Sequence, residues 1–593
     1  MIPFSKIHLL YAFILPHVIL GFAPITSTVV HKNQSSSILL STAISKADES
    51  SDAVIVGAGP AGLLSAIMYA QKYPDQKVQV FDRLNPPPSP TDSNIWSDVA
   101  KFYLIGLSAR GQSALAKYGV WNEVKDVCTE VVGRKDWSPE SKSEDGVERI
   151  FTDRPVSTQV LPRDKLVGVL HKHVLDNYQG RIQLNYGYDI FPEDFAVNEN
   201  KGVRVRVSKC TSSNRQNPSS AVSANDTEQV ECNIDESFTL DTKLLIAADG
   251  TTRTIANEME RKDKERWQSL NALQKVFAEK PFHVRRYIDD NRRVYKTVPM
   301  KIPSDWRPDL NYSARTADGR VNYDALPADR NGNYCGVLLV RDGDEFAAAN
   351  ADPIKFRALL DDVLPQFSKL LDDKTVAEIA KKPPSFLPSF RYAGPRLNQG
   401  DYTIILGDSA HTVKPYFGLG ANSALEDVTI LDDTLETTTS IPDAVHLFTK
   451  KRAKDSESLV KISRELDRPG KLGFFSFILP LILDGIFHGM LPKVFAPNVI
   501  NCLQKPSMSF TSVRRRKRLD RIGQLVLVGG FFSGLTSAAK WLVKSVAKGI
   551  GVKHETVTMA MVGLAVLASV AKKSASIFDT RQSPADVITK TKK

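Results

Sequence analysis

Residues 52–62 read Asp-Ala-Val-Ile-Val-Gly-Ala-Gly-Pro-Ala-Gly, and this stretch decides the fold. Its residues 53–56 form a continuous apolar run, as in a strand buried inside a parallel sheet. Gly57 then permits a tight turn, Gly59 lets the backbone approach a pyrophosphate, and Gly62 lets the following helix pack on the strand. The amides at the start of that helix are able to bind a diphosphate.

The next strand supplies the acid that such a site needs. Residues 77–81 are predicted to form a second strand, which ends at Asp82 and is followed by Arg83. Asp82 lies about twenty residues after Gly62, where a carboxylate binds ribose hydroxyls. Strand, glycines, helix, strand and acid in this order predict an α/β fold with a Rossmann-like dinucleotide-binding domain.

Two later segments repeat the pattern of an apolar strand that ends in an acid. Residues 244–250 read Leu-Leu-Ile-Ala-Ala-Asp-Gly and end at Asp249 and Gly250, while residues 402–408 end at Gly407 and Asp408. Taken singly, either segment could be a turn capped by Asp. Together they place two carboxylates at the strand ends where open α/β sheets bind ligands, and they favour FAD over NAD.

The three segments together resemble the class A FAD-dependent monooxygenases, the aromatic hydroxylase family, and among them the kynurenine 3-monooxygenases. Residues 407–427 read Gly-Asp-Ser-Ala-His-Thr-Val-Lys-Pro-Tyr-Phe-Gly-Leu-Gly-Ala-Asn-Ser-Ala-Leu-Glu-Asp. This string is similar to the Gly-Asp-x-Ala-His, Pro-Phe-Phe-Gly-x-Gly-x-Asn and Glu-Asp string of that family. Residues 107–111, 325–327 and 491–497 also match, and the resemblance covers residues 52–520.

The resemblance implies that FAD is bound along these motifs. Asp82 would hold the adenosine ribose, Arg163 would meet the diphosphate or ribose side, and Asp408 would meet the ribityl chain. A helix that starts near Asn422 would direct its positive end at the reduced flavin ring. The implied cofactor-binding residues are Gly57, Gly59, Gly62, Asp82, Arg83, Arg163, Asp249, Gly250, Gly407, Asp408, Pro415, Gly418, Gly420, Ala421 and Asn422.

The chemistry implied by the resemblance is carried by the flavin. NADPH, or NADH, would be the transient electron donor, and O2 would supply one oxygen atom through a flavin hydroperoxide. No catalytic side chain is required, and we expect His411 to be a structural residue beside the strand end. No group of cysteines and histidines has the spacing of metal ligands, so no metal is expected.

The substrate residues depart from the family pattern. Arg134 stands where the family places the arginine that pairs with the kynurenine carboxylate, but the two pocket tyrosines appear as Phe151 and Val499. The family's asparagine falls within 462–464, where this chain has no Asn. Each lost polar contact is worth on the order of 1 kcal/mol or more in a buried site. We therefore expect a retained flavin site and a more apolar substrate pocket.

The leading hypothesis is an NAD(P)H-consuming FAD monooxygenase that acts on an aromatic or unsaturated small molecule, with kynurenine as the substrate implied by the resemblance. One alternative is a monooxygenase or epoxidase of a lipophilic plastid metabolite, such as a quinone precursor or carotenoid. Another is a non-catalytic FAD-binding membrane protein. A flavin halogenase is disfavoured because its Trp-x-Trp-x-Ile-Pro signature is absent.

The composition divides the chain into a globular body and two atypical ends. The predicted segments are a signal peptide (1–22), a transit-like segment (23–51), a discontinuous FAD-binding domain (52–262 and 398–440), a substrate domain built on an antiparallel β-sheet (263–397), a helical region (441–520) and a membrane-associated tail (521–593). Within them, residues 208–237 are predicted to be a surface loop, and an apolar helix pair is predicted to break at Pro480.

The amino-terminal segment has the composition of a targeting leader. Residues 7–22 are apolar, and residues 23–51 are rich in Ser and Thr with no acid before Asp48. Their junction, Gly-Phe-Ala-Pro at 21–24, resembles the bipartite leaders of complex plastids. We expect a plastid membrane location. A plain secretory leader or an amino-terminal anchor, with another endomembrane or the mitochondrial outer membrane as the address, is the alternative.

The carboxyl-terminal segment is apolar enough to meet a membrane. Residues 522–539 are uncharged, residues 556–571 are nearly as apolar, and a basic cluster at 514–518 precedes them. A basic cluster next to a membrane segment meets anionic headgroups. The alternative is a set of buried helices in a soluble tail. The net charge of +11 is otherwise spread thinly, so we expect membrane lipid as a partner and no nucleic acid.

Overall fold

The computed structural model describes residues 50–91, 104–138, 140–151, 154, 156–197, 202–210, 232–288, 291–551, 553 and 555. The predicted signal peptide and most of the transit-like segment lie outside these residues, as does the second apolar stretch of the tail. Ser50 and Ser51, which the sequence assigned to the transit-like segment, form the start of the first strand instead.

The strands are β1 (Ser50–Val56), β2 (Val78–Asp82), β3 (Leu104–Leu107), β4 (Thr129–Val131), β5 (Gly133–Asp136), β6 (Val147–Ile150), β7 (Thr158–Pro162), β8 (Ile182–Tyr186), β9 (Tyr188–Val197), β10 (Gly202–Cys210), β11 (Cys232–Ala247), β12 (His283–Arg286), β13 (Arg293–Lys301), β14 (Leu310–Arg315), β15 (Asn322–Pro327), β16 (Asn333–Arg341), β17 (Ser385–Phe386), β18 (Arg391–Gly394), β19 (Asn398–Gln399), β20 (Thr403–Ile405) and β21 (His411–Thr412).

The helices are α1 (Pro60–Lys72), α2 (Ala109–Lys117), α3 (Trp121–Asp126), α4 (Arg163–Asn177), α5 (Thr254–Ser269), α6 (Ala272–Phe277), α7 (Pro353–Val363), α8 (Pro365–Ser368), α9 (Asp373–Lys381), α10 (Leu419–Thr437), α11 (Ile441–Leu466), α12 (Gly470–Gly473), α13 (Leu479–Met490), α14 (Val499–Leu503) and α15 (Phe510–Gly549). Short 3-10 turns occupy Glu345–Ala347, Gly407–Ser409 and Pro415–Phe417, and a π turn occupies Phe474–Ile478.

An eight-stranded sheet organises the cofactor half of the protein. Its path runs β19-β20-β11-β1-β2-β8, and β10 and β9 are attached beside β11. The neighbours β20, β11, β1, β2 and β8 are all parallel. Counted along the chain, these five strands have the order 3-2-1-4-5, which is the order of a doubly wound nucleotide-binding sheet. The topology confirms the prediction made from residues 52–62.

A seven-stranded sheet organises the other half, in the order β17-β13-β16-β15-β14-β5-β6. Its pairs are antiparallel except β14 with β5. One face packs against α7, α8 and α9 through buried residues such as Tyr323, Phe356 and Phe367. Strands β5 and β6 come from the segment that the sequence assigned to the FAD-binding domain. That boundary is wrong for them, because their hydrogen-bonding partners are β14 and each other.

The predicted surface loop is shorter than expected. Strand β10 continues to Cys210 and β11 begins at Cys232, so residues 208–210 and 232–237 are strand rather than loop. Backbone pairing of Ser208 with Ser237 extends the ribbon regardless of the polar side chains. The expected free, packed thiols are confirmed for Cys128 and Cys335.

The predicted helix break at Pro480 is absent. Residues 470–490 are continuously helical, and a π turn over Phe474–Ile478 directly precedes Pro480. Proline lacks the N–H of a regular helical turn, and a π turn changes the local bonding pattern without ending the helix.

The final helix, α15, is 40 residues long and continues into the second of two compact units, 1–517 and 518–593. In the second unit its large apolar side chains are exposed, among them Ile522, Phe531 and Trp541. Within the described residues, α15 is the helix with the length and composition to cross a membrane. The predicted boundary at 521 falls inside this helix.

Candidate functional site

The turn after β1 has the shape that its three glycines predict. Gly57 adopts φ +99°, and a Cβ there would lie 2.4 Å from the carbonyl oxygen of Ala248. A Cβ on Gly62 would lie 1.8 Å from the carbonyl oxygen of Gly57. Gly59 instead faces open space: a Cβ placed there would have Arg163 Nη2 as its nearest neighbour, at 3.9 Å. Two glycines therefore permit backbone packing, and the third leaves room in front of the start of α1.

Asp82 and Arg163 lie on either side of this turn. Asp82 accepts hydrogen bonds of 2.7 Å from the backbone N–H groups of Ala58 and Leu84. Arg163 is the first residue of α4, and its guanidinium approaches Gly59. Asp82 is therefore beside the glycine turn, as predicted, and a cation stands before the amides at the start of α1, where a diphosphate is favoured.

The Asp249 and Asp408 turns are joined to each other. Asp249 accepts a hydrogen bond of 2.7 Å from Ser409 Oγ and one of 3.2 Å from Ile255 N–H. Arg253 is fully buried in a left-handed conformation at φ 56°, and it donates to the carbonyl oxygens of Asp408 and Ser409. The sequence analysis did not identify Arg253, although it immediately follows the Asp-Gly motif. Asp249 therefore links the two turns, and its contact with FAD stays a prediction.

Asp408 differs from Asp249 because its carboxylate accepts no hydrogen bond from the described residues. Burial raises the pKa of Asp408, against the nearby positive charges of His411, Arg253 and Arg163. A Cβ on Gly420 would lie 4.0 Å from Asp408 Oδ1, so the carboxylate faces the start of α10. This acid is available for a ligand hydroxyl, as the resemblance predicts for the ribityl chain.

Helix α10 begins at Leu419, three residues before the predicted start near Asn422. Gly418 precedes it at φ 61°, a left-handed conformation that glycine adopts without strain. Asn422 accepts from the N–H groups of Ser108 and Gly111 and donates to the carbonyl oxygens of Gly106 and Gly418. Its side chain therefore fixes the Gly418 turn against α2 rather than extending to a ligand.

A buried ionic network supports the Gly407 turn from behind. His411 Nε2 lies 2.8 Å from Asp427, which also accepts from Gly407 N–H at 2.7 Å and from Arg452 at 2.5 Å. Burial would raise the pKa of Asp427, but Arg452, His411 and the Gly407 N–H lower it to about 2. Arg110 pairs with the neighbouring Glu426. The burial of His411 and its contact with Asp427 support the expected structural role, which stays a prediction.

A second buried pair holds the turn that carries Pro415. Lys414 Nζ lies 2.7 Å from Asp467 and donates to the carbonyl oxygen of Asn291 at 2.8 Å. The Lys414 side chain is fully buried. The sequence analysis did not identify this pair because Asp467 lies outside the motif, at the end of α11.

The Pro415 turn faces the free side of the seven-stranded sheet. Tyr416 packs against Tyr295, Val337, Leu339 and Leu387, and we call these five residues the apolar patch. In the sheet, Val337 is directly opposite Asp324. Directly opposite residues share one face. The apolar patch therefore continues, on the next strand, into polar residues.

Those polar residues are Arg134, Asp136, Ser313, Arg315 and Asp324, which we call the charged row. Arg134 lies 2.5 Å from Asp136 and donates to Ser313 Oγ at 2.8 Å, while its buried Nε has no hydrogen-bond partner. Ser313 is opposite Asp324, and Arg315 donates to Asn322 at 2.9 Å. The expectation of a more apolar pocket is wrong for this face. The acids and the added arginine lie outside the family motif and were missed.

Asp324 and Arg315 are desolvated although both remain half-buried. Burial raises the pKa of Asp324 to about 7, with Asp136 adding to the shift and Arg134 and Arg315 opposing it. Burial lowers the pKa of Arg315. Both side chains are thus partly accessible and at the same time surrounded by protein atoms.

The other two predicted substrate residues lie in different surroundings. Phe151 follows β6, donates its N–H to Val132, and lies beneath the guanidinium of Arg154 at 3.8 Å. Val499 begins α14 and packs in the apolar cluster that contains Phe417. Phe151 is thus near β5 and Arg134, whereas Val499 is behind the Pro415 turn.

The cofactor half fits FAD on these observations. The space before Gly59, the cation at Arg163, the free carboxylate of Asp408 and the uncapped start of α10 form a series of sites suited to phosphate, ribityl and flavin groups. When bound, FAD would supply the redox chemistry. The assignment of individual side chains to its atoms stays a prediction.

Relatives among characterised proteins match most of the chain. A kynurenine 3-monooxygenase of Salinispora arenicola is 25% identical over 480 residues, which cover 79% of this chain and 91% of the relative. One of Caenorhabditis briggsae is 21% identical over 475 residues, covering 79% and 93%. One of Drosophila melanogaster is 32% identical over 92 residues, or 16% of this chain and 19% of the relative. No family model matches the chain.

Solved structures also match the chain, at low sequence identity. A tetrameric 2-methyl-3-hydroxypyridine-5-carboxylic acid oxygenase is 14% identical with a TM-score of 0.48, covering 72% of this chain and 96% of its own. The R204Q variant of Klebsiella pneumoniae HpxO complexed with FAD is 16% identical with a TM-score of 0.48, covering 77% and 99%.

Proposed function

We propose that this chain, an FAD-dependent aromatic monooxygenase, hydroxylates kynurenine or a close aromatic amino acid. The electron donor in this proposal is NADPH or NADH, and O2 supplies the oxygen atom. The relatives that match 79% of the chain carry the name kynurenine 3-monooxygenase, which supports the proposal. The observation that carries it is the sheet face itself, where an apolar patch at the Pro415 turn adjoins a charged row that includes Arg134.

The spacing on this face suits a small aromatic molecule with a charged end. Neighbouring strands lie about 4.8 Å apart, so the span from β16 across β15 to β14 is about 10 Å. The side chain of Arg134, which comes from β5, contacts Ser313 on β14. An aromatic ring would pack on Val337, Leu339 and Tyr416, beside the turn that would border the flavin. The charged end would then reach Arg134, whose buried Nε lacks a partner.

In this arrangement the protein binds, orients and excludes water. Arg134 would pair with the substrate carboxylate by a charge-assisted hydrogen bond. Tyr416 and the patch residues would remove water from the ring. The start of α10, preceded by Gly418, would direct its N–H groups at the cofactor. No side chain is assigned to proton transfer.

The charged row also bears on the alternative substrates. A quinone precursor or carotenoid would cover the half-buried Arg315 and Asp324 and offer no polar partner to any charge of the row, which costs free energy. Kynurenine is therefore favoured over a lipophilic plastid metabolite.

Stopped-flow reduction of the bound flavin by NADPH tests the proposal. The full-length protein in detergent is mixed with NADPH in the presence of L-kynurenine, of desaminokynurenine, or of no substrate. We expect flavin reduction to accelerate with kynurenine and a product heavier by one oxygen atom. Flavin that is reduced at the same rate with and without kynurenine would contradict the substrate assignment and leave the cofactor assignment intact.

We further propose a plastid membrane as the location, with α15 as the membrane contact. The leader composition supports the address, and the exposed apolar side chains of α15 support lipid contact. Flotation of the full chain with vesicles of anionic lipid tests the contact. Replacement of Phe531, Phe532 and Trp541 by Ser should release the protein from the vesicles, and unchanged flotation would contradict the proposal.

A further inference from the structure

Asp324, one of the two acids in the charged row, has no partner in the proposed function. Asp324 lies on β15, opposite Ser313 on β14 and opposite Val337 on β16. Its carboxylate accepts no hydrogen bond from the described residues, whereas Asp136 in the same row pairs with Arg134 at 2.5 Å. One acid of the row is thus used to hold the sheet face, and the other is available.

The charges of the row balance without a ligand. Within the row, Arg134 and Arg315 are positive and Asp136 and ionised Asp324 are negative. Beside the row, Arg149, directly opposite Arg134 on β6, and Arg293 on β13 add positive charge. A purely anionic ligand would meet both acids of this row, while a purely cationic one would meet both arginines. A ligand with one charge of each sign preserves the balance and pairs each of its charges with an opposite one.

We propose that Asp324 binds the α-ammonium group of the substrate, and that it makes the site select aromatic α-amino acids over the corresponding acids without the amine. The proposal rests on the proposed function, in which Arg134 takes the carboxylate. The carboxylate and ammonium of an α-amino acid lie on one carbon atom. Arg134 and Asp324 are on one sheet face and are joined through Ser313, which contacts Arg134 and lies opposite Asp324.

The state of Asp324 gives the site a pH dependence. Burial and Asp136 raise the pKa of Asp324 to about 7, and Arg134 and Arg315 oppose the shift. Below that pH the acid is neutral and does not attract an ammonium group. Kynurenine binding should therefore tighten as pH rises through about 7, while the substrate amine remains protonated. Desaminokynurenine, which keeps the carboxylate and the aromatic ketone, should not gain affinity over this range.

Binding to the FAD-loaded full chain tests the proposal. The dissociation constants of L-kynurenine and desaminokynurenine are measured from the change in flavin absorbance, in the wild type and in Asp324→Asn. We expect the wild type to prefer kynurenine by about tenfold or more, the value of one charged hydrogen bond. Asp324→Asn should remove this preference, and its affinity for desaminokynurenine should be unchanged or higher because the arginines lose a competing acid.

The matched control is Asp305→Asn, an exposed acid that precedes β14 in the same half of the protein. It should keep the wild-type preference. If Asp324→Asn does not retain FAD, two other measurements test the proposal. Asp324→Glu should keep the preference for kynurenine. In the wild type, this preference should grow as the pH rises through about 7.

Equal weakening of both ligands by Asp324→Asn, or an unchanged preference, would overturn the proposal. Hydroxylation of kynurenine with an unchanged preference would overturn this inference alone. Failure of the wild type to bind either ligand would overturn the proposed function, and this inference with it.

Discussion

Two desolvated acids, one in each half of the protein, have opposite surroundings. Asp427 in the cofactor half accepts hydrogen bonds from Gly407, His411 and Arg452, and these hold its pKa at about 2 against burial. Asp324 in the substrate half accepts none from the described residues, and burial raises its pKa to about 7.

The number of hydrogen bonds that each acid accepts distinguishes a structural acid from a candidate ligand-binding acid. An acid whose lone pairs are taken by the protein positions the chain around it, as Asp427 does for the Gly407 turn. An acid that is desolvated and still unbonded is a candidate to meet a ligand. By this criterion Asp408 and Asp324 are candidates to meet ligands, while Asp427 and Asp136 are bonded within the protein.

The largest effect should come from the glycine turn of the cofactor half. In Gly62→Ala the new Cβ would meet the Gly57 carbonyl at 1.8 Å, so α1 cannot keep its position. We expect loss of bound FAD and of soluble protein, measured by flavin absorbance after purification. Gly485→Ala, on a helix with nothing within 4 Å, is the control and should retain full flavin content. A Gly62→Ala protein with normal flavin content would contradict the packing role.

The second-largest effect should come from the buried ionic network around Asp427. Arg452→Met leaves Asp427, Glu426 and Asp455 without their shared cation and should lower the free energy of unfolding by about 3–5 kcal/mol. Denaturant unfolding of the FAD-loaded protein measures this. Lys172→Met removes an exposed ammonium group from the exposed Asp176 and should cost less than about 1 kcal/mol. Similar losses in both variants would show that the network is not a principal support.

Substitution of Arg134 should affect substrate binding without affecting FAD binding. Arg134→Gln should retain FAD and raise the KM for kynurenine by about 10- to 100-fold, because one charged hydrogen bond is lost. Steady-state NADPH oxidation and flavin content measure the two effects. A variant that loses FAD together with kynurenine would instead place Arg134 in the structural core of the sheet.

The smallest effect should be the acid sensitivity of Asp427. Its folded pKa of about 2 lies below the ordinary value of 3.8, so the stabilisation is present above the ordinary value and is lost as pH falls toward 2. The contribution is about 2 kcal/mol. Urea unfolding between about pH 5 and about pH 3 should show this decline in the wild type and a smaller one in Asp427→Asn. Equal declines would contradict the lowered pKa.

The cofactor half could be predicted from the sequence because backbone geometry determines it. Gly57 and Gly62 are required by close approach, and Asp82 follows at a fixed distance along two consecutive strands. Such constraints leave a pattern within a short stretch. The links made by Arg253 and Asn422 were missed, since each joins motifs that are far apart in the chain.

The substrate half could not be predicted in the same way. Its residues alternate with core residues on strands from two separate segments, so Arg134 and Asp324 become neighbours only through the pairing of β5, β14 and β15. The loss of two expected hydroxyls predicted a more apolar pocket. The sequence offered no local signal that Asp136, Arg315 and Asp324 would replace polarity from other strands.

The most direct test is the fate of isotopically labelled dioxygen. The full-length protein, loaded with FAD, is given NADPH, labelled O2 and L-kynurenine, and the product is weighed by mass spectrometry. The account predicts one labelled oxygen atom on the kynurenine ring. Consumption of NADPH that yields labelled hydrogen peroxide and unchanged kynurenine would contradict it.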